Sequence, residues 1–405
     1  MEIARGNNLA ATIYSQKGER MIPEVSKVIF IYYGSEEEFS SKKKGSDRIQ
    51  YELAKKYSNK VVPIASFSSV FKLLDNFISK SKKEKGKRGL QKTFISKYRW
   101  TLINIVWIFQ HYLLHSLFLK RSVIKELNNY DIVVLGTILG TPFIKKVIKS
   151  KLIILDHNVS WLFTYYNIER VPIIWRILVA LIKKIEVDAI NAADEVWALS
   201  KHDAKILKKY AENPEKIKVV SARDILDQYD KKEVESAIER SKKLELYYKL
   251  KGKFVIGFIG SYFKPNIIAV ENIIRIAKEV PENVVFLVIG SVSKAFENRM
   301  NIPPNVIFTG YVDDLDAHLA LCDVFINPKT TSDTGMEIKM FDYLKFNKPI
   351  ISTEMGARGF EDFKNVVIVP IEKMAEVIKN CISVVIMIPN RNSYVEKVIV
   401  EKKTI

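Results

Sequence analysis

Between Phe254 and Phe360 the sequence repeats one pattern, in which a short apolar run ends at glycine or asparagine and an amphipathic segment follows. The pattern predicts strands at Phe254–Ile259, Val284–Ile289, Val306–Thr309, Val324–Ile326 and Pro349–Ser352. Continuous apolar runs of this length are typical of parallel strands buried on both faces, and the segments between them are typical of crossover helices. The second half is therefore predicted to form a parallel sheet whose ligand-binding loops follow the strands.

The first half shows the same alternation less regularly. Its predicted strands are Val28–Tyr32, Val61–Ala65, Asp131–Leu135, Leu152–Leu155, Glu195–Ala198 and Ile217–Val220, and its predicted helices are Asp47–Tyr57, 145–149 and 173–192. Ser200 and Asp203 have the spacing of a capping box at the start of a further helix. At 405 residues the chain is long for a single core. We expect two Rossmann-like α/β domains, residues 1–222 and 223–390, facing each other across a cleft, with residues 391–405 packing back toward the first.

The charge balance favours an anionic partner, because 64 Lys and Arg against 46 Asp and Glu give a net charge of +18. Nine basic residues lie between Lys80 and Arg99, against Glu84 alone, and the apolar segment Trp100–Leu119 follows. A polybasic run beside such a segment (together residues 80–120) suits docking on an anionic membrane surface. A solvated, disordered loop is the alternative interpretation of the run.

The segment Trp100–Leu119 is long enough to span a bilayer, but Asn104, Gln110, His111 and His115 interrupt it. A helix buried in the first domain, touching lipid at one end, is favoured over a transmembrane helix. The first residues lack the apolar core of a secretory signal, so we expect a cytoplasmic protein, peripheral to the cell membrane if the basic run binds lipid.

Several kinds of site are disfavoured by the sequence. Cys322 and Cys381 lie far apart in apolar surroundings, typical of core residues in a reducing compartment, and form no zinc-binding pattern. His111 and His115 lack the glutamate of a metalloprotease motif, and no Walker lysine loop or GxGxxG sequence occurs. The carboxylates of 313–316 suit the start of a helix, where the dipole favours negative charge. We therefore predict no metal site.

Lys339 and Gly335 predict an anion-binding turn. Lys339 falls in the first turns of the helix predicted after Gly335, where the helix dipole disfavours a cation. A phosphate held between the ammonium and the backbone donors would explain this lysine, whereas an outward-pointing side chain is the alternative. A glycine at 335 allows close approach of a ligand to the backbone, although it also fits an ordinary turn.

Three further residues support a ligand site at strand ends. Lys264 precedes Pro265 at a predicted helix start, after the strand that ends at Gly260-Ser261. Asp342 lies one turn after Lys339, so it either pairs with that lysine or accepts the hydroxyl groups of a ribose. His157 follows a predicted strand, where its side chain either faces the ligand cleft or has a structural role.

Blocks of sequence in the same order resemble motifs of the family-4-type retaining glycosyltransferases of the GT-B fold, over most of Phe254–Val369. The matching blocks are Phe258–Ser261 with Pro265-Asn266, Val306–Val312, Gly335–Leu344, Lys348–Thr353 and Gly356–Gly359. In the first half, Asp156-His157-Asn158-Val159 is similar to the family's "D.HNvE" motif, and 193–200 is similar to its "AD.v.alS" motif.

The resemblance implies a metal-independent, retaining transferase that uses a nucleotide diphosphate sugar as donor and needs no bound cofactor. It places Lys264 and Lys339 on the donor diphosphate, Asp342 on the ribose, and His157 near the transferring sugar. His157 and Lys339 are thus the implied catalytic residues. The other implied donor-binding residues are Gly260, Ser261, Tyr311, Val312, Gly335, Met336 and Glu337.

The sequence departs from the family pattern at several positions. Thr334 stands where the first acid of a pair spaced eight apart is expected, and Asp342 is one methylene shorter than the usual glutamate. Glu337 replaces a basic or neutral residue, 220–223 replaces a "VPNG" turn, and the glycine-rich acceptor loop is missing unless Arg5–Asn8 serves. These departures leave the sugar and the catalytic competence open.

The predicted function is transfer of a hexose from a nucleotide diphosphate sugar to an acceptor, expected to be a lipid-linked glycan, a surface polysaccharide or an N-glycan precursor. A nucleotide-sugar epimerase of the same fold is one alternative. A non-catalytic nucleic-acid-binding or membrane-binding protein is another, motivated by the net charge, and a non-transferring partner subunit is a third. The basic run is compact and lies outside the strand-end loops, so we expect no nucleic-acid partner.

Overall fold

The structure of the protein is a computed structural model. The residues that it describes are 26–33, 50, 53–54, 58–64, 108, 121–167, 172–220, 231–331 and 334–386. Five predictions lie mostly or wholly outside these residues: the basic run 80–99, the helix 47–57, the domain boundary at 222/223, the loop 5–8 and the terminal segment 391–405.

The chain divides into two compact units, each built on one sheet. The first unit comprises residues 1–227 together with the short segment 333–336, and the second comprises 228–332 and 337–405. In each unit six strands run parallel, which confirms the predicted α/β class with two parallel sheets.

The first sheet has the strand order β2-β1-β3-β4-β5-β6. Its strands are β1 Val28–Tyr33, β2 Lys60–Ile64, β3 Ile132–Leu135, β4 Lys151–Asp156, β5 Glu195–Ala198 and β6 Ile217–Val219. Leu135, Ile154 and Val196 are fully buried because helices cover the sheet on both faces. All six strands were predicted within one or two residues.

The helices of the first unit connect these strands. They are α1 Arg121–Leu127, α2 Thr141–Val147, α3 Ser160–Asn167, α4 Pro172–Ala192 and α5 Lys201–Leu207, with a short 3-10 turn at Pro214–Lys216. The hydroxyl of Ser200 accepts a hydrogen bond from the Asp203 N–H at 3.0 Å, so the predicted cap is confirmed. Helix α2 begins four residues before the predicted start at 145, because Gly140 turns the chain at φ 73° and Pro142 suits a first turn.

The second sheet has the order β12-β11-β10-β7-β8-β9. Its strands are β7 Phe254–Ile259, β8 Val284–Ile289, β9 Val306–Gly310, β10 Val324–Asn327, β11 Ile350–Ser352 and β12 Val366–Ile368. The chain moves outward from β7 through β8 to β9, then returns to the other side of β7 with β10. Strands β7 and β10 are therefore neighbours at which the strand order reverses.

Five helices are described in the second unit, within residues 231–331 and 337–386. They are α6 Lys231–Tyr247, α7 Lys264–Ala277, α8 Leu315–Ala320, α9 Lys339–Leu344 and α10 Met374–Ile386, with 3-10 turns at Ser291–Ala295 and Ile371–Lys373. Ile273 of α7 and Ile378 of α10 pack with Phe286 and Val288 in one buried cluster. Burial of such side chains contributes roughly 1.5–3 kcal/mol each, and this fixes the helices on the sheet.

Within the described part of the chain, no helix is long and apolar enough to cross a membrane. Ile108, from the segment Trp100–Leu119, is helical and packs against Leu178 and Ile182 of α4. At Ile108 this contact agrees with the prediction of a helix buried in the first domain. The rest of the segment lies outside the described residues.

Candidate active site

The reversal of strand order in the second sheet defines a candidate ligand site. In open parallel sheets, ligands bind at the carboxyl ends of the two strands where the order reverses, because the connections leave in opposite directions there. Here those strands are β7 and β10. The chain after β7 is the loop Gly260–Phe263, and the chain after β10 leads from Asn327 to α9. The predicted residues Gly260, Ser261, Lys264 and Lys339 all belong to these two connections.

Lys339 is the first residue of α9, as predicted from the sequence. Its side chain is only 13% exposed, and its ammonium lies 4.4 Å from the centre of the Phe258 ring. The ammonium donates a hydrogen bond to Asn266 Oδ1 at 2.8 Å and lies 3.9 Å from Glu337 Oε2. The lysine is therefore held inward at the strand edge, and the alternative of a side chain directed outward into water is wrong.

Asn266 joins the two connections of the site. Its amide nitrogen donates to the carbonyl oxygen of Ser261 at 3.1 Å and to the Ser261 hydroxyl at 3.2 Å. Its amide oxygen accepts from Lys339. One side chain thus fixes the loop after β7 relative to the start of α9.

Lys264 lies two residues before Asn266, at the first position of α7, and its side chain is exposed. Helix α7 is fourteen residues long, and Pro265 in its first turn suits a position that needs no N–H donor. Lys264 therefore borders the same loop that Lys339 reaches through Asn266. Contact of either lysine with a donor diphosphate stays a prediction.

Glu337 is buried between two lysines. Lys329 forms an ion pair with its Oε1, Lys339 lies near its Oε2, and Asn327 donates to Oε2 at 3.4 Å. Burial alone would raise the pKa of Glu337, but the positive charges of Lys329 and Lys339 outweigh burial and lower it. Glu337 is therefore an ionised carboxylate that holds two cations at the edge of the sheet.

Four other predicted donor-site residues lie at the same end of the second sheet. Gly260 is packed so closely that an added Cβ would lie 2.9 Å from the Phe258 ring and 3.1 Å from Val292 Cγ1. Tyr311 follows β9 and is 66% exposed, with Val312 half-buried beside it. Asp342 lies in the first turn of α9 and is half-buried. Their roles toward the base and the ribose stay predictions.

The remaining predicted residues belong to the first unit. His157 directly follows β4, and both of its ring nitrogens are buried. Burial lowers the pKa of His157 to about 4, while the backbone of Gly136 acts in the opposite direction. The ring is thus neutral at pH 7, so one ring nitrogen is a donor and the other an acceptor.

Gly335 and Met336 also group with the first unit. The Gly335 N–H donates to Asp203 Oδ2 at 2.9 Å, and its backbone has a φ of 91°. An added Cβ would lie 3.1 Å from the His157 carbonyl oxygen and 3.3 Å from Asn158 Cβ. The backbone conformation and this close approach explain the glycine without a ligand. Approach of a donor to Gly335 and Met336 stays a prediction.

Buried carboxylates support the strand end that carries His157. Glu186 of α4 is fully buried, and its Oε1 accepts from the N–H of Ser160, the first residue of α3, at 2.6 Å. Burial raises the pKa of Glu186 to about 8, although hydrogen bonds from Ser160 oppose the shift. Burial and the charges of Glu186 and Asp203 raise the pKa of Asp156 well above its usual value. A protonated Glu186 therefore belongs to the stable form of this region near neutral pH.

The sequence interpretation missed Lys329, Asn266 and Glu186 as members of the site. Lys329 follows a strand end, as Lys264 does, so its position after β10 was a usable signal. The amide of Asn266 and the carboxylate of Glu186 act on residues 73 and 26 positions away, and no local spacing reveals such contacts.

The acidic run 313–316 has a structural role. Asp314 caps α8 by accepting from the Ala317 N–H at 3.1 Å and pairs with Arg240, while Asp316 pairs with Lys345. Across the described residues, no group of three or more His, Cys, Asp or Glu side chains has the arrangement of a metal site.

A protein-family model matches most of the second domain. Residues 253–385 match the family model described as Glycosyl transferases group 1. A comparison with curated proteins gives no match.

Solved structures share the fold of the whole chain at low sequence identity. The structure of Alr3699/HepE from Anabaena in complex with UDP and glucose is 14% identical, with a TM-score of 0.56, and the match covers 93% of this chain and 95% of that one. The N-terminal domain of trehalose-6-phosphate phosphatase from Candida albicans is 12% identical, with a TM-score of 0.56 and coverage of 97% and 96%. The α,α-trehalose 6-phosphate synthase of Burkholderia multivorans is 10% identical, with a TM-score of 0.52 and coverage of 94% and 95%.

The solved structures confirm the predicted GT-B fold class. The model match supports the family resemblance over residues 253–385, and the retaining family-4 subtype stays a prediction. Residues 253–385, which contain β7, β10, Lys264 and Lys339, are similar to the glycosyl transferases group 1 family.

Proposed function

We propose that the protein transfers a hexose from a nucleoside diphosphate sugar to an acceptor, and that the donor binds at the carboxyl ends of β7 and β10. The observation that carries the proposal is Lys339, a largely buried ammonium at the strand-order reversal of a group 1 glycosyl transferase domain. A buried cation needs anionic partners. Glu337 supplies one, and it is shared with Lys329.

The chemistry of transfer needs such cations. As the bond between the sugar and the diphosphate breaks, negative charge accumulates on the diphosphate oxygens. Ammonium groups fixed before the reaction stabilise that charge more strongly than they stabilise the intact donor, which lowers the barrier. In the proposal Lys339 is the fixed group, oriented by Asn266 and Glu337, and Lys264 at the start of α7 is the second cation.

In the same proposal His157 lies near the transferring sugar. Its neutral, buried ring suits hydrogen bonding to a sugar hydroxyl, because a hydroxyl pairs with both a donor and an acceptor.

Three finer proposals concern the reaction and the acceptor. They are retention of the anomeric configuration, independence of metal ions and of any bound cofactor, and an acceptor that is a lipid-linked glycan. The acceptor proposal rests on the net charge of +18 and on the basic run 80–99, which favour an anionic membrane surface.

Binding of the donor is tested first, by thermal denaturation with a panel of UDP, GDP, ADP and dTDP sugars. A ligand that binds the native state raises the Tm in proportion to its affinity. We expect one nucleotide class to raise the Tm of the wild type and to leave that of Lys339→Ala unchanged. Glu337 keeps Lys329 as its partner in this variant, so the fold should persist, and circular dichroism checks it. Lys364→Ala, an exposed lysine of the same domain, is the matched control.

Transfer is tested with the donor so identified and a membrane extract as acceptor source. Release of the nucleoside diphosphate that requires the extract and is lost in Lys339→Ala supports the proposal. Conversion of the donor sugar without any acceptor would instead identify an epimerase. Turnover of Lys339→Ala at the wild-type rate would refute the assignment of the site. Flotation with vesicles of anionic lipid at low salt tests the membrane proposal separately, and lack of binding would count against it.

A further inference from the structure

A second concave site lies on the second domain, at the edge of the sheet opposite to Lys339. A cavity of about 770 Å³ opens beside the amino ends of β7, β8 and β9. Strand β7 is six residues long, so roughly 20 Å of sheet separates this edge from the carboxyl ends of the strands. The volume lies within the range of small-molecule sites, which is about 300–1,000 Å³.

The wall of this cavity is basic. Lys249 and Lys253 come from the turn before β7, and Lys278 comes from the end of α7. Glu282 is the one acidic residue in the lining, so the lining carries three lysines against a single carboxylate. Such a surplus of positive charge in a concave site raises the local concentration of anions.

The floor of the cavity is apolar. Val280, Val285, Ile302 and Ile307 line it together with Ala277. A ligand that fills the cavity therefore contacts apolar residues and lysines. This combination fits an anion that carries an apolar body better than it fits free inorganic phosphate.

Two residues of the lining are held in an unusual backbone conformation. Lys249 has a φ of 55° and Asn301 a φ of 67°, in the left-handed region that side chains rarely adopt. Helix α6 ends with hydrogen bonds from Leu250 N to Glu245 O and from Lys249 N to Leu246 O. Glycine is the usual residue at the position of Lys249 in this helix ending. A lysine that lines a cavity at a position that favours glycine points to a role for its charge.

We propose that this cavity, defined by Lys249, Lys253, Lys278 and the apolar floor, binds a soluble organic anion with an apolar body, independently of the donor site. The ligand carries a phosphate, sulfonate or carboxylate on an aromatic or aliphatic group. This site does not depend on the proposed transferase function, since its residues are separate from Lys339, Lys264 and His157.

The test uses 1-naphthyl phosphate as the probe, with calorimetry on the full chain. Inorganic phosphate supplies the charge without the apolar body, and 1-naphthol supplies the body without the charge. We expect the naphthyl phosphate to bind at least about tenfold more tightly than either, because only that probe uses both the floor and the rim. Equal affinity of all three compounds would overturn the proposal.

Variants locate the binding. Lys253→Gln with Lys278→Gln should weaken naphthyl phosphate binding about tenfold, and Lys249→Gly about threefold. Lys249→Gly relieves the backbone strain, so its Tm should equal or exceed that of the wild type, which separates loss of binding from loss of folding. Lys251→Gln is the control, since Lys251 is an exposed neighbour outside the lining. A loss in the control equal to that of the double variant would refute the assignment.

Competition with UDP distinguishes this site from the donor site. Naphthyl phosphate binding that is unchanged by millimolar UDP and by Lys339→Ala supports two separate sites. Displacement of the probe by UDP would place the probe at the donor site and overturn the inference. Failure of every nucleotide sugar of the panel to bind would contradict the proposed function alone.

Discussion

The ammonium of Lys339 donates a 2.8 Å hydrogen bond to the side-chain oxygen of Asn266, although 73 residues separate the two in the chain. Asn266 also donates to the backbone and to the hydroxyl of Ser261. The start of α9 and the loop after β7 are thus oriented by one amide group. A ligand held by both connections would depend on this amide without touching it.

We predict that Asn266→Ala weakens donor binding about tenfold, because Lys339 and the loop at Ser261 lose their shared hydrogen-bond partner. A hydrogen bond to a charged group contributes about 1.5–3 kcal/mol. The measurement is the nucleotide-sugar affinity by calorimetry, with Asn283→Ala, an exposed asparagine of the same domain, as control. Wild-type affinity in Asn266→Ala would show that Asn266 does not orient the site.

The ion pair of Lys329 and Glu337 should be strongly coupled, because both side chains are buried. Loss of one partner leaves the other buried without its counter-charge, at a cost of about 3–5 kcal/mol. We expect Lys329→Met and Glu337→Gln each to lower the free energy of unfolding of the second domain. The loss of unfolding free energy in the double variant should be at least about 2 kcal/mol smaller than the sum of the losses in the two single variants.

Urea unfolding of the four proteins in this cycle gives the coupling free energy. The exposed pair Lys242 and Glu239 is the control, and its coupling should not exceed about 0.5 kcal/mol. A coupling at Lys329 and Glu337 as small as that of the control would contradict a buried pair.

The raised pKa of Glu186 predicts a stability that falls with increasing pH. Burial raises this pKa from 4.5 to about 8, so the native state holds a proton that the unfolded state releases. The resulting stabilisation is complete below pH 4.5 and is lost as the pH rises through 8. Each unit of pKa difference corresponds to about 1.4 kcal/mol. Glu186→Gln keeps the acceptor for Ser160 but cannot ionise, so it should flatten this dependence.

The check is urea unfolding of both proteins at intervals from pH 5 to pH 9. Asp156 and Asp203 face the same cluster, and Asp156 adds a loss of the same sign, so only the difference between wild type and variant reports Glu186. If the difference in unfolding free energy between wild type and Glu186→Gln were constant across this pH range, it would contradict a protonated Glu186 near neutral pH.

Gly335→Ala should lower the free energy of unfolding of the first unit by more than backbone strain alone would lower it. The substitution places a Cβ 3.1 Å from the His157 carbonyl oxygen and forces alanine to a φ of 91°. Gly252→Ala carries a similar φ of 75° but meets no atom within 4 Å, so it measures the strain without the contact. We expect about 1 kcal/mol for Gly252→Ala and about 2–4 kcal/mol for Gly335→Ala, by chemical unfolding. Equal costs would show that the backbone near His157 yields to the added methyl group.

Both sheets could be predicted from the sequence because the strands are buried on both faces and read as unbroken apolar runs. The starts of α7 and α5 were predicted because Pro265 and Ser200 act locally. Strand β12 was missed, although Val366–Val369 is an apolar run like those of the predicted strands.

The candidate site was predicted only in part. Lys264 and Lys339 could be placed because they stand at helix starts after strands. The contacts that orient Lys339, and the burial that lowers the pKa of His157, arise from residues far away in the chain. Tertiary packing decides both, and no local spacing encodes them.

The central position of β7 has a consequence for synthesis of the protein on the ribosome. Strand β8 covers one edge of β7 early, but the other edge stays unpaired until Val324–Asn327 has been made. At about 5–20 residues per second, the nascent chain exposes that edge for roughly 3–13 seconds. An unpaired apolar strand is a template for association with other chains, so such association is favoured during this interval.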